Sequence, residues 1–318
     1  MRRYLGIDIG GTNIKMATVD SRGRVEARGV IETRACEGPA VALRRVAAAV
    51  PQLSRARGVA RAGIGCAGLI DASGVVRHSP NLPAWEGKHL GRIARRLLGV
   101  DTSVANDATA AAWGEYRCGG NDGCDDLVFV TLGTGVGGGV VSGGRLVRGA
   151  RNFGGEVGHV CVVKGGRRCH CGARGCAEAY VGSYGMVRTA REMLSRRSGR
   201  YLARWVKGEG RRLTPELVAE AARSGDAVAR AVMTHAGEHL GVLVASLVQV
   251  FNPEVVVLGG GVSASFDLLL PHVRRTLARQ VFSASARGVR IERSLLGNDA
   301  TAVGAAMLAR DTEREAKK

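Results

Sequence analysis

The chain opens on a strand, a glycine turn and a second strand, and that order constrains its fold more than any other feature. Residues 4–9 are almost wholly apolar, Gly10-Gly11-Thr12 form a turn, and residues 14–19 alternate with the period of two that marks a strand. A dinucleotide-binding fold follows its first glycines with a helix; a strand in that place excludes it. Ser21-Arg22-Gly23-Arg24 reads as the next hairpin turn and residues 25–33 as a third strand. The order returns later, with a strand over 126–132, the glycine-rich run 133–139, a strand at Val140-Val141 and a turn at Ser142-Gly143-Gly144. The repetition predicts two related halves, each presenting a glycine turn to a shared cleft.

Between these openings the pattern predicts a helix over 39–53, a strand over 60–65, a short strand ending at Val104-Ala105, and a helix over 107–116 with Asp107 in its first turn. Composition shifts at Gly119-Gly120-Asn121-Asp122-Gly123, the expected crossing between domains. Beyond it come a basic helix and loop over 191–212, helices over 217–223 and 227–251, a strand over 254–258 ending in Gly259-Gly260-Gly261, and a last helix over 300–310 before a charged, frayed tail. A length of 318 residues suits two domains, and 45% hydrophobic with only 4% aromatic residues predicts aliphatic cores.

No apolar run reaches the ~18 residues of a membrane span; residues 240–251 read as a core helix, and Asp8 interrupts the N-terminal apolar stretch too early for a signal peptide. The expected location is cytoplasmic, with no membrane partner. The net charge of +18 is mostly scattered arginine, without a basic run or an aromatic-interleaved stripe, so nucleic acid is not an expected partner. Such a charge does attract anionic substrates such as nucleotides or polyphosphate.

Cys169, Cys171 and Cys176 form a C-x-C-x4-C array, with His159 ten residues upstream. Three thiolates and an imidazole make a closed tetrahedral zinc set, hence a structural metal. His170 is a rival fourth ligand, ranked lower because adjacent ligands strain the backbone. Cys36, Cys66, Cys118, Cys124 and Cys161 lack ligand spacing and read as free thiols in a reducing compartment. Glu156 and Glu178 flank the array, so a zinc knot would hold two carboxylates in fixed geometry.

Asp8-Ile9-Gly10-Gly11-Thr12-Asn13 brings backbone N–H groups close to phosphate oxygens, adds the Thr12 hydroxyl, and places Asp8 to hold Mg²⁺. Alone, such a turn is as readily an ordinary hairpin. Thr131, Gly133, Thr134, Gly135 and Gly137 make a second donor-rich turn, and Gly259, Gly260 and Gly261 a third. Three turns at strand ends suit phosphates at two and a nucleoside at the third, while the missing G-x4-G-K-[ST] excludes a P-loop. Asp107 behind Asn106 is by itself a helix cap; its functional reading is a general base taking a hydroxyl proton during phosphoryl transfer. A helix N-terminus favours the ionised carboxylate, which suffices when the proton leaves late. Glu156, His159 and Glu178 supply the acceptors that a ring of hydroxyls requires, with one nitrogen of His159 for zinc and the other for a hydroxyl.

Together these stretches resemble the ROK family (repressor, open reading frame, kinase) and, within it, the bacterial glucokinases. The matching segments are DIGGTNIK at Asp8 to Lys15, AND at Ala105 to Asp107, TLGTGVGGG at Thr131 to Gly139, GGEVGH at Gly154 to His159, CHCGARGC at Cys169 to Cys176 and VVLGGGVS at Val256 to Ser263. The resemblance implies a two-lobed α/β actin-like (ribonuclease-H-like) ATPase fold with ATP and sugar in the interlobe cleft. The small lobe would span 1–118, completed by a C-terminal helix over 299–318; the large lobe, over 119–298, would carry the zinc knot and part of the nucleotide site. The implied reaction is ATP-dependent phosphorylation of a hexose, glucose to glucose 6-phosphate, with Asp107 as catalytic base. Gly68, Asn81, Asn106, Asp107, Glu156, His159 and Glu178 would bind sugar; Lys15 joins the nucleotide residues named above, and His159, Cys169, Cys171 and Cys176 would hold zinc. Homodimers or homotetramers are expected by the same resemblance.

Two departures from the family pattern stand out. Gly65-Cys66-Ala67-Gly68 lacks the proline that many relatives carry, and Gly182 replaces a serine for which Ser183 is the neighbouring substitute. Competing expectations are a kinase for N-acetylmannosamine, N-acetylglucosamine or fructose, a polyphosphate-using glucokinase, and a sugar-sensing repressor. Repressors of this family carry a helix-turn-helix ahead of the first strand, and here that strand begins at Tyr4.

Overall fold

The structure is a computed structural model, and it describes all residues except 1, 54–57, 122, 197–200 and 316–318. β1 (Arg3–Ile9) turns at Gly10-Gly11 and returns antiparallel as β2 (Asn13–Asp20), which pairs antiparallel with β3 (Val25–Glu32). After α1 (Pro39–Leu53), β4 (Val59–Cys66) joins β1 in parallel. A small ribbon of β5 (Leu69–Ile70) and β6 (Val76–His78) and the helix α2 (Leu90–Leu98) precede β7 (Thr102–Asn106), which closes the sheet in the order β3-β2-β1-β4-β7. α3 (Asp107–Cys118) leaves β7 without a loop.

The second sheet has the order β10-β9-β8-β11-β12, built from β8 (Leu127–Leu132), β9 (Val136–Ser142), β10 (Arg145–Leu146), β11 (Val255–Gly259) and β12 (Arg290–Arg293). Counted along the chain, both sheets run third, second, first, fourth, fifth strand. The two strand–glycine–strand openings thus head two sheets of one strand order. The remaining helices are α4 (Glu178–Val181), α5 (Ser183–Arg196), α6 (Pro215–Arg223), α7 (Ala227–Phe251), α8 (Phe266–Gln280), α9 (Ser283–Gly288) and α10 (Ala300–Glu315).

The chain divides into two compact units: Met1–Phe129 with Gly138–Gly155 and Ser294–Lys318, and Val130–Gly137 with Glu156–Arg293. The division falls within β8 and β9, not at the expected crossing over 119–123. That loop is tied into the first unit instead. Asn121 donates to the Glu115 carbonyl at 3.3 Å, and the buried Glu115 carboxylate accepts from Ser294 and from the Leu296 N–H at 3.0 Å. Residues 119–129 and 138–155, assigned by sequence to the large lobe, therefore pack with the first unit.

In the first unit α10 lies on β1 and β4 because glycines admit it. A side chain at Gly6 would overlap the Ala302 carbonyl, and one at Gly63 the Ala305 carbonyl. Ala302, Val303, Ala305 and Ala306 are buried against this surface. The helix also runs past the expected end at Arg310, since its charged last turns have partners: Asp311 accepts from the Trp113 indole at 3.0 Å and Glu313 from the Tyr4 hydroxyl at 3.0 Å. In the second unit Asp226 caps α7 by accepting the Ala229 N–H at 2.8 Å, and Asn252 ends the helix in the left-handed region. α7 is long and apolar enough to cross a membrane, but Leu240, Leu243, Val244, Leu247 and Val248 are buried within the protein. The basic segment expected over 191–212 resolves into the end of α5 and a π turn, Arg204–Gly208, with 197–200 outside the described residues.

Candidate active site and metal centre

In the first unit the parallel strands β1, β4 and β7 end in register, with Ile9 beside Cys66 and Cys66 beside Asn106. The carboxyl ends of such strands are where open α/β sheets receive ligands. Asp8 and Asp107 both arrive there. Burial pushes the Asp8 carboxyl up to about 6, helped by the Asp107 charge and opposed by Lys15, whose Nζ lies 3.8 Å away. Asp107 is raised as well. Its burial outweighs the Ala108 N–H and the Asn106 amide, which both donate to Oδ1 at 3.0 Å. This corrects the expectation of a favoured, weakly basic carboxylate: the helix N-terminus does stabilise the anion, but removal from water is the larger effect.

Asn106 is fully engaged by the protein. Its Oδ1 accepts the Thr109 N–H at 2.9 Å, capping α3, and its amide donates to Asp107 and, at 3.1 Å, to the Gly68 carbonyl. It therefore fixes both Asp107 and the Gly68 turn. Gly68 sits at φ 122, where a side chain would also strike the His78 carbonyl. Gly11 faces Asn81, since a Cβ on it would lie 3.1 Å from the Asn81 Cβ; Asn81, Thr12 and Asn13 are exposed. The Gly10–Asn13 turn closes through the Gly10 N–H to the Asn13 carbonyl at 3.1 Å.

In the second unit the ligand atoms of His159, Cys169, Cys171 and Cys176 lie within 4.8 Å of one another. His159 Nδ1 is 3.8 Å from Cys169 Sγ, and Cys171 Sγ is 3.7 Å from Cys176 Sγ. Tetrahedral Zn–S bonds of about 2.3 Å put neighbouring sulfurs about 3.8 Å apart, so this donor set fits zinc with no open position. The knot is shaped by backbone bonds, the Cys169 N–H to Ala173 at 2.8 Å and Gly172 to Cys169 at 3.0 Å. His170 is outside the cluster, its ring stacked on Tyr184 at 4.1 Å. Burial raises the Cys169 thiol and, with the neighbouring Cys171 thiol, pushes Cys176 up to about 12. A dication among these sulfurs would reverse that preference.

Glu178 opens α4 beside the knot. Its Oε2 accepts the Val136 N–H at 3.0 Å, and its Oε1 lies 3.3 Å from the Tyr184 hydroxyl and 3.4 Å from Cys169 Sγ. A Cβ on Gly135 would lie 2.3 Å from Oε2, so a larger residue there would displace the Glu178 carboxylate. His159 divides its nitrogens, Nδ1 toward the thiols and Nε2 toward Glu156 at 3.9 Å. Thr131 lies in β8, Gly137 in β9, and Gly133, Thr134 and Gly135 form the turn between them. Gly259-Gly260-Gly261 backs onto this turn, where a Cβ at Gly260 (φ 82) would collide with the Leu132 carbonyl.

A sequence model of the ROK family matches residues 4–312. The chain belongs to the ROK family. It is 33% identical to the glucokinase of Halalkalibacterium halodurans over 324 residues, covering 100% of this chain and 98% of that one. It is 32% identical to the N-acetylmannosamine kinase of Shigella boydii, over 96% of this chain and 97% of the relative. Among solved structures, the ROK family glucokinase of Streptomyces griseus, in complex with glucose and AMPPNP, superposes with a TM-score of 0.84 at 34% identity, covering 97% and 99% of the two chains. The fold of this ROK protein is accordingly the α/β, two-lobed actin-like and ribonuclease-H-like kinase fold.

Two residues hold the ROK motifs in place in a way the sequence does not show: Thr33 carries no signal there, and Ser183 stands out only as the neighbouring substitute for a serine at position 182. The buried Thr33 donates its hydroxyl to the Gly10 carbonyl at 2.6 Å and its N–H to the Thr12 carbonyl at 2.8 Å, pinning the first glycine turn. Ser183 donates both Oγ, at 2.7 Å, and N–H, at 2.9 Å, to the Gly133 carbonyl, pinning the second. Both act on backbone carbonyls from distant positions, so only the composition of the turns themselves was readable.

Proposed function

We propose that this ROK protein transfers the terminal phosphoryl group of ATP to the 6-hydroxyl of glucose, giving glucose 6-phosphate. The observation that carries the reading is Asp107, a half-buried carboxylate oriented by Asn106 and the Ala108 N–H at the start of α3. Its raised pKa makes it a better proton acceptor than an ordinary aspartate, and the proton it takes leaves the sugar hydroxyl as the phosphoryl group arrives. In this reading Gly68, Asn81 and Asn106 shape the sugar's approach, Glu156 and Glu178 accept hydrogen bonds from its hydroxyls, and His159, with Nδ1 turned to the zinc, donates its Nε2–H to another. The N–H groups of the Gly10–Asn13 and Gly133–Gly135 turns, other than those of Gly10 and Gly133 that close the turns themselves, cradle phosphates, with Lys15 adding charge and Gly259–Gly261 facing the nucleoside. Asp8 would hold Mg²⁺, which neutralises phosphate charge. The His159, Cys169, Cys171 and Cys176 set would hold a zinc ion that orients Glu178 and His159 and takes no part in the chemistry.

A second reading is supported by the full-length match to an N-acetylmannosamine kinase at nearly the same identity as to a glucokinase. Space beside the sugar C2 distinguishes the two. A coupled ADP-release assay with glucose, fructose, N-acetylglucosamine and N-acetylmannosamine tests both. Glucose should give the highest kcat/KM with ATP; a higher value for N-acetylmannosamine selects the second reading, and no turnover with any sugar refutes both.

A further inference from the structure

The first unit contains a cavity of about 550 Å³ along β7, away from the carboxyl end of that strand. Arg61, Arg92, Arg95 and Arg148 line it, together with His89 and Asp101. Asp101 lies 3.1 Å from Arg95 and 3.7 Å from Arg61, so one carboxylate faces four guanidinium groups. Arg92 and Arg148 have no side-chain partner among the described residues, and the Arg61 Nε is buried without a hydrogen-bond partner. His89 Nδ1 accepts the Arg92 N–H at 3.2 Å, so the neutral ring carries its proton on Nε2 and adds a donor.

We propose that this cavity is a binding site for a small phosphorylated anion. Gathering like charges is unfavourable unless a counter-charge sits among them, and a buried N–H without an acceptor costs free energy that an anion's oxygens recover. The planar guanidinium fork matches phosphate oxygens in pairs. The volume lies in the range of small-molecule pockets and exceeds a single phosphate group, so the anion carries a further phosphate or an organic part. The site is separate from the proposed catalytic residues: Thr102 and Asn106 are four strand steps apart, roughly 13 Å.

Calorimetric titration of the full chain at about 0.15 M salt, where exposed charges are largely screened, tests the site with two probes, pyrophosphate and glucose 6-phosphate. The native protein should bind the better probe saturably. The double variant Arg92→Ser/Arg148→Ser, which alters two exposed and unpartnered side chains, should weaken that binding at least about tenfold, in line with the loss of charge-assisted hydrogen bonds. The control Arg44→Ser/Arg96→Ser removes two exposed arginines outside the cavity and should leave affinity within about twofold. Melting curves without ligand establish that each variant is folded, and Arg148→Ser alone serves should the double variant fail. Tighter glucose 6-phosphate binding assigns the site to phosphate esters; tighter pyrophosphate binding assigns it to inorganic oligophosphates. Unchanged affinity in the cavity variant, or no saturation with either probe, overturns the proposal.

Discussion

At the scale of single residues the decisive balance is at Asp107, where burial opposes helix-end stabilisation and wins. An acid whose folded pKa is raised holds its proton more tightly folded than unfolded. Its charge therefore lowers stability increasingly as pH rises from the unfolded pKa through the folded one. Two consequences follow in opposite directions. The acid limb of kcat/KM should lie above the ~3.9 of an unperturbed aspartate, because the base must be ionised. Asp107→Asn, which removes the desolvated charge and keeps an acceptor, should melt higher than the native protein at pH 7, with the gap closing toward pH 4. An acid limb at the ordinary aspartate value, or a variant that melts lower at pH 7, would show that the carboxylate is not destabilised by its site.

At the scale of elements, the zinc knot and α7 each make a testable demand. Metal binding to Cys169 and Cys176 must displace protons that burial otherwise retains, so affinity should fall as pH falls. Elemental analysis should find about one zinc per chain; Cys171→Ser should lose most of it and lower the melting temperature. An unchanged zinc content would remove the knot. In α7 the His235 pKa is lowered to about 4, first by burial and then by the His239 charge, while His239 stacks on Tyr180 at 4.4 Å. A histidine that is harder to protonate folded than unfolded destabilises the fold as pH drops from about 6.5 toward 4. Urea midpoints should decline over that window in the native protein and decline less in His235→Gln; parallel curves would assign the acid sensitivity elsewhere.

Elements also show what the sequence could and could not disclose. α1 and α7 matched the expected 39–53 and 227–251 because their apolar periodicity is long, with Pro51 falling only near the end of α1. α2 escaped because its nine residues hold three arginines and an apolar stripe too short to stand out, and α8 because Pro271 breaks its pattern. The glycine turns, Asn106-Asp107 and the cysteine array were legible because their chemistry is local. The buttressing by Thr33 and Ser183, the link from Asn106 to Gly68, and the direction of the Asp107 shift were not, because each depends on neighbours that only the folded chain supplies.

At the scale of the whole molecule, two sheets of one strand order each set a glycine turn at a strand end, one accompanied by paired carboxylates and the other by the clustered His159 and cysteine side chains with Glu178. The central claim is that Asp107 takes the proton of a sugar hydroxyl during phosphoryl transfer. The most direct test measures single-turnover formation of glucose 6-phosphate by the native protein and by Asp107→Asn, with glucose affinity determined on the same samples. The account predicts a rate lower by about 10²–10⁴-fold, the range of general-base catalysis, with glucose affinity changed by no more than a few-fold. A variant that transfers phosphate at the native rate, with glucose bound equally well, would contradict it.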